Sequence, residues 1–225
     1  MIQKNPHFYV NNYSFFCQYE RGILSFIYSF VFCVREISLN YVRENAMLNM
    51  TFVILWRNNM RLFIAIQFSD DIKKGLISVM HDLKKKNVGG SYSPADNLHL
   101  TLAFIGETQN VEGVKRAMEA TTFAPFMLSL TDLGNFGDIL WVGAKGGQKL
   151  KAYVKALGGQ LDAAGIKYDK KKFEPHITLV RRASNARPQG ITVPKKDMMV
   201  KKISLMKSEQ KNGRMVYTEI FHVGS

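Results

Sequence analysis

The tetrad His-x-Thr-x occurs twice in this chain, as His99-Leu100-Thr101-Leu102 and as His176-Ile177-Thr178-Leu179. Both copies lie in short apolar runs, residues 98–105 and 175–180, that read as strands. Side chains alternate faces along a strand. In each copy His and Thr therefore share one face, while Leu100 and Leu102, or Ile177 and Leu179, turn to the other. The fold must give each tetrad one apolar face to bury and one polar face to leave open. Two such strands side by side would present two imidazoles and two hydroxyls to one spot. That is an acid, a base and two hydrogen-bonding groups, a metal-free set suited to cutting a phosphodiester.

The surroundings of the tetrads repeat as well. From Leu62 to His99 is 37 positions, and from Leu140 to His176 is 36. Each half reads strand, helix, then His-x-Thr-x. Residues 61–68 have a continuous apolar core, as a buried strand does. Ser69 or Asp70 can cap a helix to about Lys86, with Ile72, Leu76, Val79, Met80 and Leu83 at helical spacing. Further helices are predicted over residues 110–120 and 148–164, the last with Leu150, Val154, Leu157, Leu161 and Ala164 on one stripe. Residues 126–133 and 139–143 read as strands around a Gly134-Asn135-Phe136-Gly137 turn, and residues 199–207 and 215–223 as a hairpin turning at Asn212-Gly213. The pattern predicts an α+β fold. Two pseudo-symmetric lobes of mostly antiparallel sheet carry helices on their outer faces, with both tetrads in a central cleft.

Residues 1–59 differ in character. They are rich in Phe, Tyr and Asn, lack a clear period, and hold both cysteines, Cys17 and Cys33. Residues 23–34 form an uncharged run, short of the roughly 20 residues a membrane helix needs. Glu20 lies just upstream, Arg35 and Glu36 follow at once, and no small-x-small cleavage site is near, which argues against a signal peptide. We expect residues 1–59 to be an extension of unknown role, outside the functional protein and without membrane contact. Residues 60–225 are then the two-lobed working domain. That stretch has no cysteine, so it has no disulfide framework or Cys-rich zinc site, and a reducing cytoplasm suits it.

The formal net charge is +13. A solvated basic surface would account for it, but so would a polyanionic partner such as RNA. Lys84, Lys85 and Lys86, and again Lys170, Lys171 and Lys172, stand upstream of one tetrad each. A positive mouth around the tetrads would hold phosphates and make binding salt-dependent.

One His-x-Thr in a strand means little, but two copies at matching offsets after a helix point to a site. Imidazoles titrate at about 6.5, so one can be protonated and the other neutral near pH 7. Threonine hydroxyls can hold the non-bridging oxygens, and an arginine would add bidentate contact. Arg181 and Arg182 both follow the second tetrad, and regular alternation puts Arg182 on the histidine face. His81 lies opposite the apolar stripe of its helix and His222 has no partner motif. Tyr92, Phe104 and Phe173 flank the tetrads and either stack on a base or pack. No metal and no cofactor are expected, since two histidines without clustered ligands do not complete a coordination sphere.

Met60-Arg61-Leu62-Phe63-Ile64-Ala65-Ile66, the run from Asn97 through His99-Leu100-Thr101-Leu102 to Glu107, and Glu174-Pro175-His176-Ile177-Thr178-Leu179-Val180-Arg181 resemble the two-histidine phosphoesterases. Among these they are most similar to the bacterial and archaeal RNA 2′,3′-cyclic phosphodiesterases, also called 2′-5′ RNA ligases. The resemblance covers Met60 to the C-terminus. Residues 1–59 match nothing in the family. It implies hydrolysis of 2′,3′-cyclic phosphate ends of RNA to 2′-phosphomonoesters without metal, with reversible 2′-5′ joining of tRNA halves as a side activity. It also implies that His99 donates a proton to the leaving 3′ oxygen and that His176 activates water. Thr101 and Thr178 would sit on the phosphate. It favours Arg181 where alternation favours Arg182, and the choice stays open. A cytoplasmic monomer is expected. Two other readings remain. One is a phosphodiesterase of the same fold acting on 2′-5′ oligoadenylate or a cyclic ADP-ribose phosphate. The other is a non-catalytic RNA- or nucleotide-binding module, against which the intact His and Thr pairs argue.

Overall fold

The apolar run at residues 62–66 becomes the centre of β1 (Met60–Gln67), and all five of its side chains are buried. The structure is a computed structural model that describes residues 59–225. Cys17, Cys33 and the apolar run at residues 23–34 lie outside the described residues. Among the described residues no helix is long and apolar enough to cross a membrane.

Helix α1 (Asp70–Lys85) starts where Ser69 predicts it: the Ser69 hydroxyl accepts from the Ile72 amide at 3.5 Å. Asp70 and Asp71 occupy its first turn and Lys84 and Lys85 its last, both favourable to the helix dipole. Ile72, Leu76, Val79, Met80 and Leu83 are all buried, as their spacing requires. Short β2 (Ser91–Tyr92) and a 3₁₀ turn (Ala95–Asn97) lead into β3 (His99–Thr108), the strand of the first tetrad. Helix α2 (Val111–Glu119) is capped by Asn110, whose side-chain oxygen accepts from the Gly113 amide at 2.9 Å. Strands β4 (Phe126–Phe136) and β5 (Ile139–Lys145), helix α3 (Gly147–Ala163) and β6 (His176–Arg181), which holds the second tetrad, complete the repeat. In α3, Tyr153 joins Leu150, Leu157 and Leu161 in the core, while Ala164 caps the end and is exposed.

Among the described residues every strand pair is antiparallel. With β7 at Asp197–Val200, β8 at Lys202–Lys211 and β9 at Arg214–Gly224, a four-stranded sheet has the order β3-β1-β8-β9 and a five-stranded sheet the order β2-β6-β5-β4-β7. Strands β1 and β5 hold equivalent places, each beside a tetrad strand, as the 62-to-140 spacing predicts. The fold is the α+β arrangement expected.

Two boundaries differ from the sequence reading. Residues 199–207 are not one strand. β7 (Asp197–Val200) pairs with β4, and β8 (Lys202–Lys211) pairs with β1, so the chain crosses between sheets at Lys201. The β4–β5 turn is also tighter than predicted. Phe136 still pairs with Ile139, and only Gly137, with φ 57°, and Asp138 lie between them. Between β8 and β9 (Arg214–Gly224) the turn is Asn212-Gly213 as expected, with φ 50° and 74°. Those values are what the tightest hairpin turn demands of both central residues.

Both sheets and all three helices contribute to the main apolar core. On the other face of the four-stranded sheet, Phe63, Ala65 and Met206 form a small cluster with Tyr217. That is the face on which His99 stands.

Candidate active site

Each tetrad histidine is the first residue of its strand, and each is held the same way. His99 Nδ1 lies 2.7 Å from the Asn97 carbonyl, and His176 Nδ1 lies 2.7 Å from the Glu174 carbonyl. A carbonyl oxygen only accepts, so in both rings Nδ1 carries the proton. Nε2 is left for chemistry. His99 Nε2 lies 3.0 Å from Thr101 Oγ1. Rings set the orientation further. Phe63 packs on His99 at 4.8 Å and Tyr217 meets it edge-on at 5.3 Å. Phe136 meets His176 edge-on at 5.0 Å, and Trp141 leans on it at 6.1 Å.

Both tetrads end in a β-bulge. In β3, Thr101 pairs with Ala65 and Ala103 with Ile64, which leaves Leu102 extra. In β6, Thr178 pairs with Trp141 and Val180 with Leu140, which leaves Leu179 extra. A bulge puts two consecutive side chains on one face and reverses the parity beyond it. Leu179 and Val180 are accordingly both fully buried. Arg181 comes round to the side of His176 and Thr178, and lines their cavity. This corrects the alternation argument for Arg182. That residue lies beyond the strand at φ 54°, is exposed, and lines neither cavity at the tetrads.

His99, Thr101, His176, Thr178 and Arg181 all line one cavity of about 400 Å³. Its remaining wall includes Tyr92, Ser93, Asn97, Arg214, Met215 and Tyr217. A larger groove of about 1080 Å³ opens on the other side and shares Thr101, His176 and Arg181 with it. Phe104 and Phe173 line that groove, Phe173 also packing on the core. Tyr92 is held by a 2.7 Å hydrogen bond from its hydroxyl to the Val88 carbonyl.

Only one of the two lysine triplets lines either cavity. Lys170, Lys171 and Lys172 line the larger groove. Lys84, Lys85 and Lys86 line neither cavity, and the Lys84 ammonium instead sits 4.8 Å over the Tyr92 ring. His81 is exposed, and His222 lies 3.1 Å from Glu219.

Burial pulls the His99 pKa below its ordinary value of 6.5, and the charges of Arg181 and His176 pull the same way against the Asn97 hydrogen bond. The ligand-free site therefore favours neutral His99 near pH 7. An anion seated between these cations would offset both repulsions. Among the described residues no three His, Cys, Asp or Glu side chains converge to form a metal site.

Several wall residues carry no local signal in the sequence. Arg214, Met215 and Tyr217 come from the β8–β9 hairpin. The Asn97 side-chain amide ties that hairpin to the first tetrad through the Met215 carbonyl at 2.8 Å, across 118 positions of chain. Ser93 donates to the Thr178 carbonyl at 2.8 Å and so couples β2 to the second tetrad. Trp141 reaches His176 through β5–β6 pairing, and Phe136 through β4–β5 pairing one strand further on.

A family model described as the 2′-5′ RNA ligase superfamily matches residues 74–212. The RNA 2′,3′-cyclic phosphodiesterase of Escherichia coli (strain K12) is 30% identical over 169 residues, 71% of this chain and 93% of that protein. The RNA 2′,3′-cyclic phosphodiesterase of Thermotoga maritima is 28% identical over 131 residues, 54% of this chain and 70% of that one. The crystal structure of E. coli LigT complexed with 3′-AMP superposes with a TM-score of 0.61 at 29% identity, over 74% of this chain and 98% of that one. The same protein complexed with NADP⁺ gives 0.64 at 28% identity, with the same coverage of both chains.

Proposed function

The chain belongs to the 2′-5′ RNA ligase superfamily, and we propose that it hydrolyses 2′,3′-cyclic phosphodiester ends of RNA to 2′-phosphomonoesters by metal-free acid–base catalysis. The carrying observation is the pair of anchored imidazoles. Both Nδ1 protons are committed to backbone carbonyls, so both Nε2 atoms are available where Thr101, Thr178 and Arg181 line one cavity.

In this reaction His176 takes a proton from water as the water oxygen bonds to phosphorus. The bond from phosphorus to the 3′ oxygen breaks, and His99 delivers a proton to that oxygen. Phosphate stays on the 2′ oxygen. Thr101, Thr178 and Arg181 hold the non-bridging oxygens, where charge gathers. A 5′ hydroxyl in the place of water would form a 2′-5′ linkage by the same proton transfers, so joining and hydrolysis share one site. The bound phosphate's charge helps His99 to hold its proton.

The test is turnover of a 2′,3′-cyclic nucleotide with the product identified by phosphorus NMR. A 2′-phosphate is expected, in the presence of EDTA. His99→Ala and His176→Ala should each lower turnover at least about 10²-fold, the worth of one proton transfer. A 3′-phosphate product would reverse the two histidine roles, and near-normal turnover by His99→Ala would exclude the mechanism.

We also propose residues 60–225 as the catalytic domain. Among the described residues, strands β1 to β9 pair with one another to build both sheets. A protein beginning at Met60 should fold and keep full turnover. If it is inactive while the full chain works, residues 1–59 belong to the working unit.

A further inference from the structure

We propose that the larger groove holds the nucleotides immediately 5′ of the reacting RNA end, so that the enzyme prefers an oligonucleotide to a mononucleotide. This deepens the reading above and rests on it. A 2′,3′-cyclic phosphate closes the 3′ end of a chain, so any further part of the substrate runs in the 5′ direction. The 400 Å³ cavity has room for the terminal nucleotide, while the 1080 Å³ groove continues from it through Thr101, His176 and Arg181.

The groove has the two features that bind a single strand without reading its sequence, namely aromatic faces and cations. Among the described residues, Phe104 and Phe136 are the only aromatic members of the exposed large hydrophobic side chains, at 37% and 43% exposure, and both line this groove. Exposing such rings to water is unfavourable, and a stacked base would cover them. Lys155 and Lys172 stand on the same wall, exposed and without an ion-pair partner among the described residues. Lys170 and Lys171 are offset by Asp162 at 2.7 Å and Asp169 at 3.2 Å, so they add less.

The fold holds these groups together. The Asp169 amide donates to the Phe104 carbonyl at 2.9 Å, which fastens the lysine loop of one lobe to the bulged strand of the other. Phe104 itself faces the groove because the bulge at Leu102 turns it there. The Arg61 guanidinium lies over one face of the Phe104 ring, 5.2 Å from its centre, which holds the ring in place and adds positive charge there.

The experiment compares a 2′,3′-cyclic mononucleotide with a tetranucleotide RNA ending in the same cyclic phosphate, using the full chain. The tetranucleotide should show kcat/KM at least about tenfold higher at low salt, the effect of one stacked base and one held phosphate. Its salt dependence should be steeper by about 0.7 in the log–log slope for each phosphate held. The double variant Lys155→Ala, Lys172→Ala and the single variant Phe104→Leu should each remove most of this advantage. Turnover of the mononucleotide, which does not extend into the groove, should not change. Equal kcat/KM for the two substrates, or a double variant that keeps the full advantage, would overturn the inference. A protein that hydrolyses neither substrate refutes the enzymatic reading instead. The groove is then judged by fluorescence anisotropy of the labelled tetranucleotide, where binding must weaken at least about fivefold in the double variant, on the same stacking and phosphate contacts.

Discussion

Leu102 and Leu179 are the same residue in two different strands: each is the extra member of a β-bulge directly after a His-x-Thr triplet. The internal repeat thus extends to an irregularity of the backbone. Past each bulge, the residue five positions after the histidine swings onto the tetrad's open face. In β3 that residue is Phe104 and in β6 it is Arg181. The two lobes place a hydrophobic ring and a guanidinium at equivalent points. A near-symmetric scaffold thereby carries different groups past its two tetrads, a guanidinium in the histidine cavity and a ring in the larger groove.

The two neighbouring arginines should behave differently. Arg181→Ala removes a cation from the cavity of both histidines and should lower kcat/KM about 10²-fold, within the range for loss of a charged group at developing charge. Arg181→Lys should recover only part of it, because an ammonium lacks the guanidinium's two-pronged geometry. Arg182→Ala should stay within about twofold of the parent, a loss below 0.5 kcal/mol. Steady-state kinetics on the three variants decide this. A larger loss at residue 182 than at 181 would restore the regular-strand reading.

The His99 shift predicts a pH response. Its pKa lies below 6.5 in the ligand-free protein, first through burial and then through Arg181 and His176. NMR titration of the ring should therefore give a midpoint under 6.5. Arg181→Ala should move that midpoint up, since it removes a repelling charge, and inorganic phosphate should do the same. As the proton donor, His99 must be charged, so kcat/KM should fall as pH rises through its free-protein midpoint. The stability effect has the opposite sense. The unfolded chain binds the His99 proton more readily, so this residue's contribution is complete above pH 6.5 and declines as pH falls toward the depressed folded value. A midpoint at or above 6.5 would contradict the burial argument.

What the sequence discloses follows from how local each signal is. The α1 stripe is legible because Ile72, Leu76, Val79, Met80 and Leu83 carry their own period, and Ser69 marks the start. The tetrads are legible because alternation over three residues needs no tertiary information. Arg181 is hidden by the bulge at Leu179. Two apolar residues in succession, Leu179 and Val180, look the same in a bulge as in a strand buried on both faces. The crossing at Lys201 is hidden because Val200-Lys201-Lys202-Ile203 contains no Gly, Pro, Asn or Asp to mark a break, so the run reads as one continuing strand. Arg214 and Tyr217 reach the cavity only because β9 completes the four-stranded sheet, a consequence of pairing over a long separation.

Tyr153 offers a test of the core. Its hydroxyl is buried with no hydrogen-bond partner among the described residues, and burial pushes the phenol's pKa far upward. Its ring packs edge-on against Phe123 at 5.7 Å. Tyr153→Phe keeps the ring and removes the unsatisfied oxygen. It should stabilise the protein by about 1 kcal/mol, or roughly 2–4 °C in Tm for a domain of this size. Urea and thermal denaturation measure it. A destabilised variant would mean that the hydroxyl has a partner, such as a bound water.

Gly134 should prove essential to His176 although it touches neither histidine nor substrate. It pairs across β4–β5 with Trp141. A Cβ built at Gly134 would lie 2.3 Å from the Trp141 ring, well inside any tolerable contact. The missing side chain is what lets the indole lie across β4. From there Trp141 packs on Phe136 at 5.0 Å and on His176 at 6.1 Å, and Phe136 in turn meets His176. Gly134→Ala must displace the indole, and with it the aromatic wall that orients His176. Proton transfer depends steeply on alignment, so kcat should fall about tenfold to a hundredfold. His99 rests on Phe63 and Tyr217 in the other sheet, so its NMR titration midpoint should change little. Gly137, two places beyond Asn135 in the turn, has open space where a Cβ would stand but a φ of 57°. Gly137→Asn, which tolerates that backbone, should leave kcat within about twofold, near the ±0.5 kcal/mol typical of surface changes. The pair separates a packing effect at Trp141 from a general loosening of the β4–β5 hairpin. Equal losses in both variants would assign the effect to the hairpin, and full kcat in Gly134→Ala would show that Trp141 does not position His176.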